Sequence, residues 1–346
     1  MANGNTTLKN AALRLGFSAC GIARADEVDH AHAEHFRQWI RSGGNATMDY
    51  MSNYEELRLD PRKMHPGTKS IICVALNYYP ERRLSDSQYQ FAYYAYGKDY
   101  HDVMRHKLRQ LASILPAGDI EPRICVDTAP ILERYWAQKA GIGWIGRNRN
   151  LIIPGKGSFF ILGEILTDIE LEYDSPLDSQ CGDCHLCTSL CPALQSPDSQ
   201  FRAEKCWSYQ TIEKKEDPSQ PPLSRGGVIT DDIDYSCSNP SPLKGEVRRS
   251  PGSIPSLREG RLGGVPPYIY GCDRCQLICP HNRNASPTTE EAFQPKEPFL
   301  QMTKEEWHNL SIEKYRELFN GSAVRRAKYE KLLSNLPSQG KNEYEF

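Results

Sequence analysis

The chain has 346 residues, 39% hydrophobic and 25% charged, which excludes wholesale disorder and leaves room for two domains or one large one. A net charge of −2 excludes attachment to nucleic acid or membrane by bulk charge alone, although a local basic patch stays open. The start "MANGNTTLKNAALRLGFSACGIA" has no secretory or twin-arginine pattern, and no apolar stretch is long enough to span a bilayer. A cytoplasmic setting is therefore expected, where twelve cysteines point to metal before disulfide.

In chain order, "TTLKNAALRLGF" predicts a helix with Leu8, Ala12 and Leu15 on one face. "HAEHFRQWIRSG" predicts a second, stopped by Gly43 and Gly44. "KSIICVALNYY" is apolar and β-rich, the mark of a buried strand. "DYHDVMRHKLRQLASIL" is an amphipathic helix, with Asp99 as its cap. "PRICVD" reads as a strand, and "TAPILERYWAQKAG" as a helix with Pro130 in its first turn. "NLIIPGKGSFFILGEILTDIEL" reads as two strands joined by a glycine turn. Strands and helices mix without strict alternation, so the fold class expected is α+β, not doubly wound.

From about residue 176 cysteines, short helices and turns dominate. Residues 217–266 are rich in Pro, Ser, Gly and Arg without periodicity and read as a disordered insertion, with Cys237 an incidental thiol inside it. The tail, 291–346, reads as helical and partly basic.

Two cysteine runs carry the chemistry. The first is Cys181-x2-Cys184-x2-Cys187-x3-Cys191-Pro192, the bacterial ferredoxin spacing. Three thiolates with two residues between each wrap three corners of one cubane, while the fourth ligates a neighbouring cluster. The second run, Cys272-x2-Cys275-x3-Cys279-Pro280, is one cysteine short, and Cys206 in "EKCWSYQTIE" supplies it. The exchange rule assigns Cys181, Cys184, Cys187 and Cys279 to one [4Fe–4S] cluster, and Cys272, Cys275, Cys206 and Cys191 to the other. Zinc ribbons use two well-separated C-x2-C pairs and fit this spacing poorly. Cys20, Cys73 and Cys125 sit in apolar settings and read as small buried residues.

Other motifs carry less. "GIGWIG", 141–146, satisfies G-x-G-x-x-G, but a helix precedes it and a strand follows, the reverse of a dinucleotide-binding turn. Its glycines suit a tight helix-to-strand turn that brings backbone close to something flat. "DYH", Asp99 to His101, starts like the D-x-H-x-x-G motif of histidine-ligated corrinoids, but Met104 stands at the glycine position. Asp127 lies between a strand and a helix. Its residues alone allow a helix N-cap, or a carboxylic acid whose pKa desolvation raises until it can donate a proton.

The cysteine order, with "LRLDP", "KSIICVALNYYP", "YGKDYHDVM", "VDTAPILERYWAQKAGIGWIGRN", "CGDCHLCTSLCPALQ", "CWSYQTIE", "YGCDRCQLICPHN" and "GSAVRRAKYE", resembles the epoxyqueuosine reductases, relatives of the cobalamin-dependent reductive dehalogenases. The resemblance spans nearly all of the chain except the insertion. Some members carry a C-terminal helical-repeat domain, for which this sequence shows no counterpart.

The resemblance implies a mixed-sheet cobalamin-binding domain over 1–175, then a two-cluster ferredoxin-like domain over 176–216 and 267–290. It implies base-off cobalamin without a histidine ligand, in accord with the failed motif, and two [4Fe–4S] clusters feeding cobalt. The implied reaction removes the epoxide oxygen of epoxyqueuosine as water, at the wobble position of tRNA, and leaves queuosine. Asp127 matches the proton donor, and Arg58, Leu151, Ile153, Leu162, Ser208, Cys272 and Asp273 match positions that line the corrin. Positive charge for the RNA is expected from Arg325, Arg326 and Lys328. A monomer served by a separate electron donor is expected, without a membrane. Two other readings are a reductive dehalogenase, which predicts the twin-arginine signal not seen here, and a ferredoxin-type carrier, which has no use for so large a front domain.

Overall fold

The computed structural model describes residues 2–215 and 267–337. The insertion at 217–266 and Cys237 lie outside the described residues. Helix α1 (Ala2–Arg14) leads into strand β1 (Ala19–Arg24) and helix α2 (His30–Arg41), which Asp29 caps by accepting from His32 N–H. Two short helices, α3 (Glu55–Leu59) and α4 (Pro61–Met64), precede β2 (Ser70–Asn77). Then come β3 (Gln90–Phe91), α5 (Tyr100–Ala112), β4 (Arg123–Cys125), α6 (Glu133–Lys139), β5 (Trp144–Ile145), β6 (Leu151–Ile152) and β7 (Phe160–Thr167). The cysteine-rich part holds α7 (Leu186–Leu190), α8 (Trp207–Ile212), β8 (Tyr268–Tyr270) and α9 (Arg274–Leu277). Four short helices follow: α10 (Glu297–Leu300), α11 (Lys304–His308), α12 (Ile312–Leu318) and α13 (Lys328–Ser334).

The main sheet has the order β1-β2-β7-β4, and every pairing in it is antiparallel. This corrects the expected mixed sheet: the parallel pairing found joins β3 to β8, away from the main sheet. β2 is buried on both faces, which is why its sequence is apolar without alternation. Ile72, Val74 and Leu76 face the cluster that includes Leu8 of α1 and Leu108 of α5. Ile71, Cys73 and Ala75 face the cluster that includes Phe36 of α2 and Trp136 of α6. Helices thus cover both sides of the sheet.

The tail belongs to the first of these clusters. Phe299, Trp307 and Phe319 pack on Phe91 of β3, and Phe91 stacks on Tyr270 of β8. The β3–β8 pairing and this aromatic group bind the front half, the second cysteine run and the tail together.

Strand β1 is absent from the sequence-based elements. Its residues, "ACGIAR", are small, with little β-forming signal of their own. Packing decides them: a Cβ on Gly21 would lie 2.0 Å from the carbonyl oxygen of Ala140, so the strand passes directly beneath the end of α6. "GIGWIG" makes its turn, but the backbone it approaches is the chain's own. A Cβ on Gly143 would lie 2.2 Å from Ile152 O, across the β5–β6 hairpin.

Candidate active site and thiol quartets

Asp99 caps α5 as expected, accepting from His101 N–H at 3.0 Å. Its Oδ1 also holds His101 Nδ1 at 2.7 Å. Tyr100 and His101 line a cavity of about 650 Å³, within the usual range for small-molecule sites. Asp127, Ser208 and Ile212 of α8, Tyr270 and Arg326 complete its walls.

Asp127 follows β4 with a left-handed φ of +54°, a conformation that aspartate tolerates better than most residues. Its Oδ2 accepts from Tyr100 Oη at 2.9 Å, faces His101 Nε2 at 3.3 Å and lies 3.9 Å from Arg326 Nη1. His101 Nε2 and Asp127 Oδ2 thus face each other as an ion pair. Behind the loop, Asp127 N–H donates to Glu133 Oε1 at 2.6 Å.

This arrangement corrects two expectations. Asp127 is not a helix cap, because α6 starts after Leu132. Nor does desolvation prevail. Burial does raise the Asp127 pKa, but His101, Tyr100 and Arg326 more than offset it and hold the carboxyl below the usual range. The proton sits on His101, which Asp127 and Asp99 push up to about 9 against the effect of burial. Glu133 is pushed up to about 7, first by burial and then by the Asp127 charge.

His101, Tyr100 and Glu133 are the functional candidates that sequence reading missed. An N-cap aspartate followed two residues later by histidine places that imidazole on a helix's first turn, a signal present in "DYH". Arg326 is expected from the sequence to offer its charge to the RNA. It sits in the cleft, paired to Glu213 at 2.6 Å with its guanidinium over the Tyr50 ring.

The candidate corrin contacts separate. Ser208 lines the cavity, and Arg58 reaches its wall by donating to Tyr50 O at 3.2 Å. Leu151, Ile153 and Leu162 lie in the apolar cluster beneath α6 and are not among the cavity-lining residues. Asp273 is 1% exposed, and its carboxylate accepts from Tyr93 N–H at 2.7 Å and from Gln276 Nε2 at 2.9 Å. It too is absent from the cavity wall.

The eight cysteines gather in two sets. Cys181, Cys184, Cys187 and Cys279 line one small cavity with Arg147 and His281. Cys275 feels the charges of Cys272, Cys191 and Cys206. These neighbours are the ones the exchange rule expects, although no group of three such side chains among the described residues stands close enough to hold a metal ion. Burial first, and neighbouring thiols after it, push Cys187 up to about 12 and Cys279 up to about 11. Burial, with Cys206 adding to it, pushes Cys272 up to about 12. Both effects oppose ionisation, and a metal's positive charge reverses them. All-sulfur donor sets of this kind suit iron–sulfur clusters. Cys20, Cys73 and Cys125 stand apart in the main sheet, Cys73 and Cys125 fully buried.

The inner set adjoins the cavity. Cys206 caps α8, whose Ser208 and Ile212 line the wall, and Cys272 stands two residues beyond Tyr270. Thiol sets leading to a cleft with an ionised carboxylate and a charged imidazole define an oxidoreductase.

The comparisons with known proteins identify which one. A family model described as "Epoxyqueuosine reductase QueG, DUF1730" matches residues 58–128. The chain is 35% identical over 333 residues to the epoxyqueuosine reductase of Cellulophaga algicola, covering 95% of each. It is 34% identical to that of Escherichia coli, covering 95% of this chain and 78% of the relative. A crystal structure of selenomethionine-labelled epoxyqueuosine reductase superposes with a TM-score of 0.74 at 25% identity, over 96% of this chain and 80% of that one. The chain belongs to the epoxyqueuosine reductase family.

Proposed function

We propose that the cavity beside Asp127 is where the chain reduces epoxyqueuosine to queuosine in tRNA, using two [4Fe–4S] clusters and cobalamin. One observation carries this reading: the Cys191, Cys206, Cys272 and Cys275 set and the Asp127 cleft share α8 and the Tyr270–Cys272 segment, so reducing equivalents and protons converge. The tRNA reading is supported by the family and by a similar fold solved with an epoxyqueuosine-modified tRNA stem loop. A base in an anticodon loop can be splayed out and read in such a cleft.

The residues fit the groups the family implies. The thiol sets would hold the clusters. For cobalamin, Arg58 Nε beside Tyr50 is buried without a hydrogen-bond partner among the described residues, the mark of a wall that a polar cofactor completes. Ser208 would meet it from α8. His101 is engaged by two carboxylates, in keeping with a corrin that takes no histidine ligand. When bound, cobalamin supplies the strongly reducing cobalt, and the clusters supply single electrons.

The chain's own residues manage protons and position. Tyr100 and Arg326 fix the Asp127 carboxylate in the cleft, and Glu133 fixes its backbone. An alkoxide leaves poorly until protonated, so a proton delivered at Oδ2 assists the opening of the epoxide. Asp127→Asn should lower the rate about 10²–10⁴-fold while leaving cobalamin bound, read from its absorbance. Protein reconstituted with iron, sulfide and cobalamin, given reductant and epoxyqueuosine-containing tRNA, should yield queuosine by nucleoside mass spectrometry. No product from fully loaded protein would overturn the reading.

A further inference from the structure

Removing an epoxide oxygen consumes two electrons and two protons. Both C–O bonds break, a C=C bond forms, and the oxygen leaves as water. The reductase activity supplies the electrons. The first proton reaches oxygen as the first C–O bond opens, and the second as the remaining bond breaks. A lone carboxyl holds one proton at most, and Asp127 is ionised before the reaction begins. The protons must come from a neighbour.

The neighbours of Asp127 differ in what they can give. Tyr100 donates a hydrogen bond, but burial and then the Asp127 charge push its pKa far up, so it keeps its proton. Arg326 stays charged throughout. Glu133 reaches Asp127 through the backbone N–H and lies behind the loop. His101 is different: it lines the cavity, its Nδ1 is gripped by Asp99, and its Nε2 stands 3.3 Å from Asp127 Oδ2.

We propose that His101 is the proton store of the reaction, positioned by Asp99 so that its Nε2 proton passes to Asp127 and from there to the substrate oxygen. This rests on the reaction proposed above. Each transfer leaves His101 neutral between two carboxylates, a state that takes a proton back from solvent. Nε2 itself is buried and faces Asp127, whose side chain is 41% exposed, so the returning proton reaches the ring by way of that carboxylate. One imidazole thereby serves both protonations in turn. His101 acts through Asp127 and is a positioning residue, not a group that touches the reacting atoms.

The charges that set its titration come from every wall of the cleft. Asp99 and Asp127 touch His101 directly, and Arg105 on α5 lies near Asp99. Glu133 sits behind Asp127, and Arg326, paired with Glu213, faces it across the cleft. Asp102 and Arg325 stand at the rim. The charged form of His101 persists through neutral pH and is lost as pH passes about 9.

The test is single-turnover reduction of epoxyqueuosine-containing tRNA by loaded enzyme across pH 6–10, for wild type and His101→Gln. Wild type should lose rate as the pH rises through His101's titration. H101Q should be slowed about 10–100-fold, lose that alkaline limb and regain rate with added imidazole. A wild-type rate for H101Q, or a slowed variant that keeps the alkaline limb and ignores imidazole, overturns the proposal alone. An inactive wild type overturns the reaction and the proposal with it. Histidine NMR of the wild-type holoenzyme gives a second readout, independent of the variant's folding. His101 should remain an imidazolium at pH 8, and a neutral ring at pH 7 overturns the proposal.

Discussion

Asp127 is held from two sides, and each hold serves a different atom. Tyr100, His101 and Arg326 fix the carboxylate, while Glu133 Oε1 fixes the backbone N–H in a left-handed conformation that costs about 1–3 kcal/mol when unsupported. Glu133→Ala removes the acceptor and frees the loop. It should lower kcat about tenfold, with KM nearly unchanged, because loop preference worth about 1–2 kcal/mol is lost. Glu133→Gln keeps an amide oxygen in the same place and should retain most of the activity. Steady-state kinetics of the two variants checks this, and equal losses in both would show that the charge, not the acceptor, matters. The sequence made Asp127 a candidate but hid its partners. They come from α5, from α6 and from the tail, and no local pattern announces that three separate segments will meet.

At the scale of elements, the long periodic or apolar segments were legible. β2, β7, α2 and α5 fall where their patterns place them, with ends set by Asp29, Gly43 and Asp99. β1 was not legible, because its small residues make a strand only when α6 packs on them. The helix predicted from Thr128 begins at Glu133, because the left-handed turn at Asp127 takes up the intervening residues. One residue inside β7 runs against its apolar neighbours. Glu164 faces Cys73 of β2 and Cys125 of β4 in register, fully buried, with neither carboxylate oxygen hydrogen-bonded among the described residues. Burial, aided by the charge of Glu133, raises its pKa well above the ordinary value. Folding therefore binds this proton more tightly than the unfolded chain does. The resulting stability is full at acid pH and declines as pH rises from the ordinary carboxylate range toward the raised folded value. Glu164→Gln removes that decline. Its melting temperature should gain on wild type steadily as pH rises, and a pH-independent difference would show that Glu164 is ionised in the fold.

Across the whole molecule, the two cysteine runs are interleaved, and interleaving has a consequence that neither run has alone. α7 follows Cys184 and α9 follows Cys272, and each run ends in a Cys-Pro step that starts a 3₁₀ turn. The helices pack on each other, so each run lends its last thiol to the other's set. Cys206 has no run of its own. A second quartet needs one thiol more than the runs contain, and Cys206 stands beside Cys272 to supply it. Under this assignment Cys206→Ala should lose about half the iron and labile sulfide, and Cys191→Ala should lose the same half although it lies in the other run. The double variant C191A/C206A should lose no more than either single one, whereas C206A/C279A should lose nearly all. Iron and sulfide analysis of anaerobically reconstituted protein separates these outcomes. If C191A/C206A lost twice what C206A loses, Cys191 would belong with its own run, and the exchange between runs would be wrong. The same geometry explains why the fold joins its parts as it does: β3–β8 pairing and the aromatic group around Phe91 hold the second run on the front half, and the packing of α9 on α7 brings Cys279 to Cys181 and Cys191 to Cys275.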